Sequence, residues 1–252
     1  MRSELQDASI SYHFRNWDTS LIDRPILFLH SALSTHKEFD KLSSFYENRR
    51  QILLDFPSHG ENITSQRTIT TRTFAEAVRD LLMKVEICSV DIIGYSMGGY
   101  VALELARIAP SMVHSIVSHA MKFYWTKEAI TEALDGLDIE KIKARSQKGY
   151  DILSAMHSAN GLEKTVAAMR STIENFRTEQ LSEDDLRNIP APILLSVGDR
   201  DTLVSLPEIE KLYTSQEKKK TFLAIHPNSP HPISKLDLGS FTHSVREFWK
   251  CM

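Results

Sequence analysis

The 252-residue chain predicts an α/β fold, with a mostly parallel central sheet and helices on both faces, on the strength of three observations. Seven short runs with strand character recur, at residues 10–14, 26–30, 51–55, 90–94, 115–118, 193–198 and 221–225. Several of them are near-continuously apolar rather than alternating, as strands covered on both faces require. Between them lie stretches with a 3.6-residue apolar period, at 73–84, 97–108, 206–213 and 241–249, and strands that alternate with helices favour parallel pairing.

Taken in order, the opening residues carry Glu4 and Asp7 and lack the apolar stretch of a signal peptide. Strands at 26–30 and 51–55 come next, then the helix at 73–84 and the strand at 90–94. The helix at 97–108 begins three residues after that strand and is closed by Pro110. From Met121 to Asn188 the strand signal is gone, and helical, charge-rich segments follow one another at 127–134, 139–148, 161–175 and 182–187. Strand character resumes after Ile189, Pro190 and Pro192. The expected organisation is one α/β core, residues 1–118 and 190–252, with residues 119–189 inserted as a helical cap.

The bulk numbers exclude some partners. Charged residues nearly balance, 30 − 33 = −3, so there is no electrostatic ground to expect nucleic acid or an anionic membrane surface. No window is long and apolar enough to span a bilayer, which makes a cytosolic location the expectation. The basic run at Lys218, Lys219 and Lys220 reads as a solvated surface turn. Cys88 and Cys251, the two cysteines, stand far apart in no metal-ligand spacing, and read as buried or incidental thiols rather than a disulfide. Neither a metal motif, a dinucleotide fingerprint nor a phosphate loop is present, so no metal and no organic cofactor is expected. Oligomeric state is not encoded in any of these patterns.

The chemistry concentrates at Gly94-Tyr95-Ser96-Met97-Gly98, where a strand turns at once into a helix. A serine hydroxyl is a weak nucleophile until a base takes its proton, and it must stand clear of its surroundings to reach a carbonyl. A sharp strand-to-helix turn lifts it off the sheet, and glycines two before and two after leave room for the strained backbone. The helix that follows points its N-terminus at the same place, where the Met97 N–H can stabilise a developing oxyanion.

GYSMGG, together with LHSAL from Leu29, DFPSHG from Asp55 and SVGDRD from Ser196, resembles the α/β-hydrolase superfamily, in particular its small serine hydrolases with a helical cap. The resemblance covers about residues 25–118 and 190–250. It implies a Ser-His-Asp triad in the chain order serine, acid, histidine. Ser96 takes the first place, and Asp201 stands where such proteins carry the acid, with Asp199 as its competitor. His231, after the last strand and before the C-terminal helix, takes the place of the base; His226 and His243 are the alternatives. The resemblance also implies a second oxyanion donor in the loop after His30, assigned by position to the N–H of Ala32.

Two departures from the family's pattern stand out: Ser31 where a glycine is usual, which leaves its hydroxyl as a possible substrate contact, and Ser58 in Pro-Ser-His-Gly, beside a His59 read as structural. Candidate substrate contacts are His30, Ser31 and Tyr95 around the proposed donors and nucleophile, and Met121, Phe123, Tyr124 and Trp125 where the chain leaves the sheet for the cap. Tyr150, Met156, Met169 and Phe176 read as inner faces of cap helices, and Arg145, Arg170 and Arg177 as cap cations, solvated or facing a carboxylate or a carrier-protein phosphate. The expected activity is hydrolysis of a small or medium carboxylic ester or thioester. Alternatives are a lyase of menaquinone biosynthesis or a carbon–carbon bond hydrolase, which share triad and cap, and a ligand-binding protein that keeps only the fold.

Overall fold

A computed structural model describes residues 10–17, 24–64, 68–216 and 220–252. The opening residues 1–9 and Lys218 and Lys219 of the basic run lie outside them. Seven strands, β1 (Tyr12–Arg15), β2 (Ile26–Leu29), β3 (Gln51–Leu54), β4 (Val90–Tyr95), β5 (Val113–His119), β6 (Ile193–Gly198) and β7 (Thr221–His226), form one sheet in the order β1-β3-β2-β4-β5-β6-β7. All pairings are parallel except that of β1 with β3, where Tyr12 faces Leu54 antiparallel. Each run of strand character in the sequence thus becomes a strand.

The helices are α1 (Asp40–Ser43), α2 (Thr71–Lys84), α3 (Met97–Ile108), α4 (Lys127–Gly136), α5 (Ile139–Arg145), α6 (Gln147–Met156), α7 (Leu162–Asn175), α8 (Glu183–Arg187), α9 (Leu206–Thr214) and α10 (Leu238–Lys250). Because strand side chains alternate, β2 sends Leu27 and Leu29 to one face and Ile26 and Phe28 to the other. The first face packs on Phe74, Val78 and Leu82 of α2 and Val101 and Leu105 of α3. The second packs on Leu42 of α1 and Phe241, Val245 and Phe248 of α10. Helices therefore cover both faces, which is why β2, β3 and β4 are buried along their whole length.

Helices α4 to α8 all lie between β5 and β6, which are themselves neighbours in the sheet. The single helix expected at 139–148 is two, because Ser146 takes an extended backbone and its hydroxyl accepts from the Gly149 N–H, starting a new helix with its own cap. This segment is tied to the loops of the sheet. Thr165 donates to the Ser58 carbonyl at 2.7 Å, Asn160 to the Ser58 hydroxyl at 2.7 Å, and Thr172 to the Ile69 carbonyl at 3.1 Å. Ser58 has φ 67°, which favours glycine; its hydroxyl gains the bond from Asn160 that a glycine could not accept. Cys88 and Cys251 are both free and exposed, so of the two readings, buried or incidental thiols, the structure leaves the second.

Chain order places the site. β3 lies outward of β2, and the chain then crosses back to place β4 on the other side of β2, so the loops after β2 and β4 diverge and leave a crevice at the carboxyl edge. α3 starts directly beneath it. A Cβ added at Gly98 would lie 1.9 Å from the Leu29 carbonyl oxygen, and one at Gly94 2.5 Å from the Gly98 carbonyl oxygen. Gly98→Ala is expected to cost at least about 3 kcal/mol, since backbone and not a flexible side chain is in the way; urea unfolding of the variant beside the parent measures it, and an unchanged midpoint would refute the close approach.

Candidate active site

Ser96 is the N-cap of α3, yet it does not behave as one. Thr70, Thr126, Ser146, Ser182 and Ser205 begin α2, α4, α6, α8 and α9 with extended backbones, and each uses its side-chain oxygen to accept a helix N–H. Ser96 instead has φ 52° and ψ −116° and makes no such bond. A non-glycine residue there is strained. The strain is held by the strand, whose register carries Ser96 N–H to the His119 carbonyl at 2.8 Å. Among the described residues its hydroxyl has no hydrogen-bond partner, and Ser96 stands at the wall of a cavity.

That cavity measures about 880 Å³ and is bordered by Ser96, Met97, Ala32 and His231 on the sheet side. Across from them stand Trp125, Leu137, Met169, Ile173 and Phe176, with Leu203 and Val204 beside Asp201. His231 Nδ1 and Asp201 Oδ2 are 2.8 Å apart. The other Asp201 oxygen accepts the N–H groups of Leu203 and Val204, each at 2.9 Å. Burial alone would raise the pKa of Asp201; the bonds from His231 and from those two amides, with the charge of His231, outweigh it and hold the carboxyl below its ordinary value. An ionised carboxylate on Nδ1 fixes the imidazole tautomer, leaving Nε2 as the nitrogen able to take a proton.

The alternative residues have other surroundings. Asp199 is exposed and accepts the Ser229 N–H at 3.2 Å. His226 is buried, its Nε2 2.9 Å from the Ser196 hydroxyl, which also meets His119 Nδ1 at 2.9 Å. His243 is exposed on α10. Of the three histidines, only His231 borders the cavity.

Several expected substrate contacts do other work. His30 is fully buried: its Nε2 accepts the Phe56 N–H at 3.0 Å and its Nδ1 lies 2.7 Å from the Ser31 carbonyl, so it braces the loop after β2. Ser31 donates both its N–H, at 2.8 Å, and its hydroxyl, at 2.7 Å, to Glu38, which removes the hydroxyl as a substrate contact. Tyr95 is buried, donates to the His231 carbonyl at 2.6 Å and packs on that imidazole at 5.5 Å, so it braces His231 instead of lining the cavity. Met121 and Phe123 are core residues, 1% exposed each, Met121 lying under Gly99. Tyr124 donates to Glu183 at 2.6 Å with the Lys211 ammonium 4.1 Å over its ring.

From that segment Lys122 and Trp125 border the cavity. The alternation follows from Glu208, whose carboxylate accepts the Phe123 and Tyr124 N–H groups and pairs with the Lys122 ammonium at 3.0 Å, fixing which side chains turn inward. Trp125 stacks on Phe176 with centroids 4.5 Å apart. Met169, Thr172 and Ile173 of α7, with Phe176 at its C-terminal cap, form one stripe on the cavity wall; Met169 and Phe176 read as inner faces from the sequence, and the i, i+3, i+4, i+7 spacing was the signal that could have added Thr172 and Ile173. Tyr100, also on the wall, gave none, since it reads as helix core. The cap arginines are occupied: Arg145 donates to the Gly136 carbonyl at 2.7 Å and Arg170 to that of Leu134 at 2.7 Å, both closing the C-terminal end of α4, while Arg177 pairs with Glu174.

The sequence profile of the alpha/beta hydrolase family matches residues 26–234, and the chain belongs to that family. Serine hydrolase BPHL of Mus musculus is 26% identical over 174 residues, 67% of this chain and 57% of that protein. Non-heme chloroperoxidase CPO-A1 of Kitasatospora aureofaciens is 24% identical over 95% of this chain and 96% of its own length. The crystal structure of MGS-M2, an alpha/beta hydrolase enzyme from a Medee basin deep-sea metagenome library, shares the fold with a TM-score of 0.80 at 18% identity, over 96% of this chain and 94% of that one. The matched stretches span 35%, 18% and 57% of the lengths of the first three curated relatives. Among the described residues no helix is long and apolar enough to cross a membrane.

Five buried histidines, His30, His59, His119, His157 and His226, have pKa values lowered chiefly by burial, His30 to about 4 and His119 to about 3, and exposed His13 is lowered as well. Between those values and the ordinary 6.5 the unfolded chain binds protons that the native state refuses, so stability present above pH 6.5 is lost as pH falls. Glu38, raised by burial, acts in the opposite sense. His30 and His119 each contribute up to about 1.4 kcal/mol per pH unit in that window. Urea midpoints taken from pH 7 to pH 5 should therefore fall steadily; a flat profile would contradict the neutral, buried state of these rings.

Proposed function

We propose that the protein is a serine hydrolase of carboxylic esters or thioesters of small to medium size. The observation that carries this reading is that His231, paired with Asp201 at 2.8 Å, borders the same cavity as a strained Ser96 whose side chain caps no helix N–H. His231 Nε2 takes the proton as Ser96 Oγ attacks the carbonyl carbon, and Asp201 stabilises the imidazolium that forms. The N–H groups of Ala32 and Met97, which have no protein acceptor among the described residues, receive the oxyanion. Collapse of the adduct breaks the bond to the leaving oxygen or sulphur, which leaves with the proton from His231. Water, deprotonated by the same nitrogen, then attacks the acyl-serine and releases the acid.

The cavity supports the choice of substrate class. Much of its lining is aliphatic and aromatic, and its cations are engaged, Arg145 by the Gly136 carbonyl, Lys122 by Glu208 and Lys141 by Asp135, so an apolar acyl or alcohol group fits better than a small charged one. The name serine hydrolase borne by the murine relative agrees with this reading.

Ser96→Ala is expected to lower kcat/KM for p-nitrophenyl butyrate at least about a thousandfold, and undiminished turnover would remove the proposal. Ser96→Gly should be equally inactive but more stable than Ser96→Ala by about 1 kcal/mol, because glycine relieves the φ 52° strain.

A further inference from the structure

The loop after β2 is held far more firmly than an exposed turn needs to be. The Ser31–Ala32 peptide unit carries the Ser31 carbonyl at one end and the Ala32 N–H at the other. His30 Nε2 is occupied as an acceptor by the Phe56 N–H, so Nδ1 carries the hydrogen and donates it to the Ser31 carbonyl at 2.7 Å. In a trans peptide the two groups point in opposite directions, so the Ala32 N–H is turned away from His30.

Two more ties hold the flanks of that peptide. On one side the Glu38 carboxylate accepts both the N–H and the hydroxyl of Ser31, at 2.8 and 2.7 Å. On the other, His157 reaches across from the end of α6. Its Nδ1 accepts the Gly60 N–H at 3.0 Å, which leaves the hydrogen on Nε2, 3.2 Å from the Leu33 carbonyl. Leu33 itself has φ 54°, a conformation that a leucine leaves when nothing holds it. His157 is fully buried, and its one imidazole bridges the loops after β2 and β3 to the helical segment.

We infer that Glu38 and His157 are positioning residues for the Ala32 N–H, and that through His157 the oxyanion donor is aligned only when the helical segment is seated on the sheet. This rests on the reading of Ser96 as the nucleophile. Neither side chain touches the reacting atoms. Their effect is on the direction of one amide, felt in the tetrahedral adduct and scarcely in substrate binding. Glu38 also lies near the imidazole of His231, so charge and geometry must be told apart.

The test uses the full chain and p-nitrophenyl butyrate, with a trifluoromethyl ketone that forms an oxyanion adduct as second probe. Glu38→Ala and His157→Phe should each lower kcat by roughly tenfold to a hundredfold, leave KM within about threefold, and weaken the ketone by the same factor as kcat. Glu38→Gln keeps an acceptor for the Ser31 N–H and offers an amide to its hydroxyl, so it should stay within about threefold of the parent. Ser31→Ala, which removes one bond and leaves the backbone tie, should lose about threefold in kcat and decides the matter if a stronger variant does not fold. Unchanged kcat in Glu38→Ala or Ser31→Ala, a loss confined to KM, or a Glu38→Gln defect as large as that of Glu38→Ala would overturn the inference. Absence of Ser96-dependent turnover in the parent would overturn the reading it rests on, and is told apart by that control alone.

Discussion

The whole site depends on one close approach, that of α3 to the end of β2. Gly98 lies so near the Leu29 carbonyl oxygen that not even a methyl group fits between them, and Gly94 meets the Gly98 backbone in the same way. Helix α3 can therefore begin immediately at the sheet edge, with no connecting loop, and Ser96 is forced into the strained corner between strand and helix. The same contact sets the first turn of α3 against residues 30–33, which brings the N–H groups of Met97 and Ala32 to the border of one cavity. Larger residues at positions 94 or 98 would push the helix outward and separate all three groups at once.

Around that corner, polar side chains are used mainly to hold backbone. His30 and Glu38 fix the loop after β2, Tyr95 holds the His231 carbonyl, Glu208 holds the two amides that lead away from β5, and Asp201 is itself locked by two N–H groups. Buried histidines suit this work because a neutral ring offers one donor and one acceptor in fixed directions. Their neutrality is maintained by burial, which ties the acid stability of the fold to the order of its loops.

The sheet was legible in the sequence because parallel strands covered on both faces can be apolar along most of their length, as Ile26 to Leu29 and Ile193 to Val197 are, and because turn residues and helical periods separate them. The β4–α3 corner was legible because only glycine fits at its two close approaches. Less was legible among the ligand contacts. Met121, Phe123 and Trp125 look equivalent as residue types, and what separates core from cavity is the Glu208 carboxylate, 85 residues beyond Phe123, whose bonds set the rotation of that segment. His30 and Tyr95 sit beside reactive positions in sequence, but strand alternation and loop direction turn them into the protein. Glu38 and His157 carried no motif, since their roles arise from hydrogen bonds between distant segments. The break between α5 and α6 was visible in principle, in Ser146 three residues before Gly149, but helical periodicity on both sides masks it.

What remains decisive is whether Ser96 becomes acylated through the action of His231. Acid-quenched turnover of a slowly deacylating p-nitrophenyl ester, followed by peptide mapping with mass spectrometry, addresses it directly. The acyl group should be found on the peptide that carries Ser96 in the parent and be missing over the same interval in a His231→Gln variant. An acyl group on any other residue, or rapid turnover with Ser96 never modified, would contradict the account.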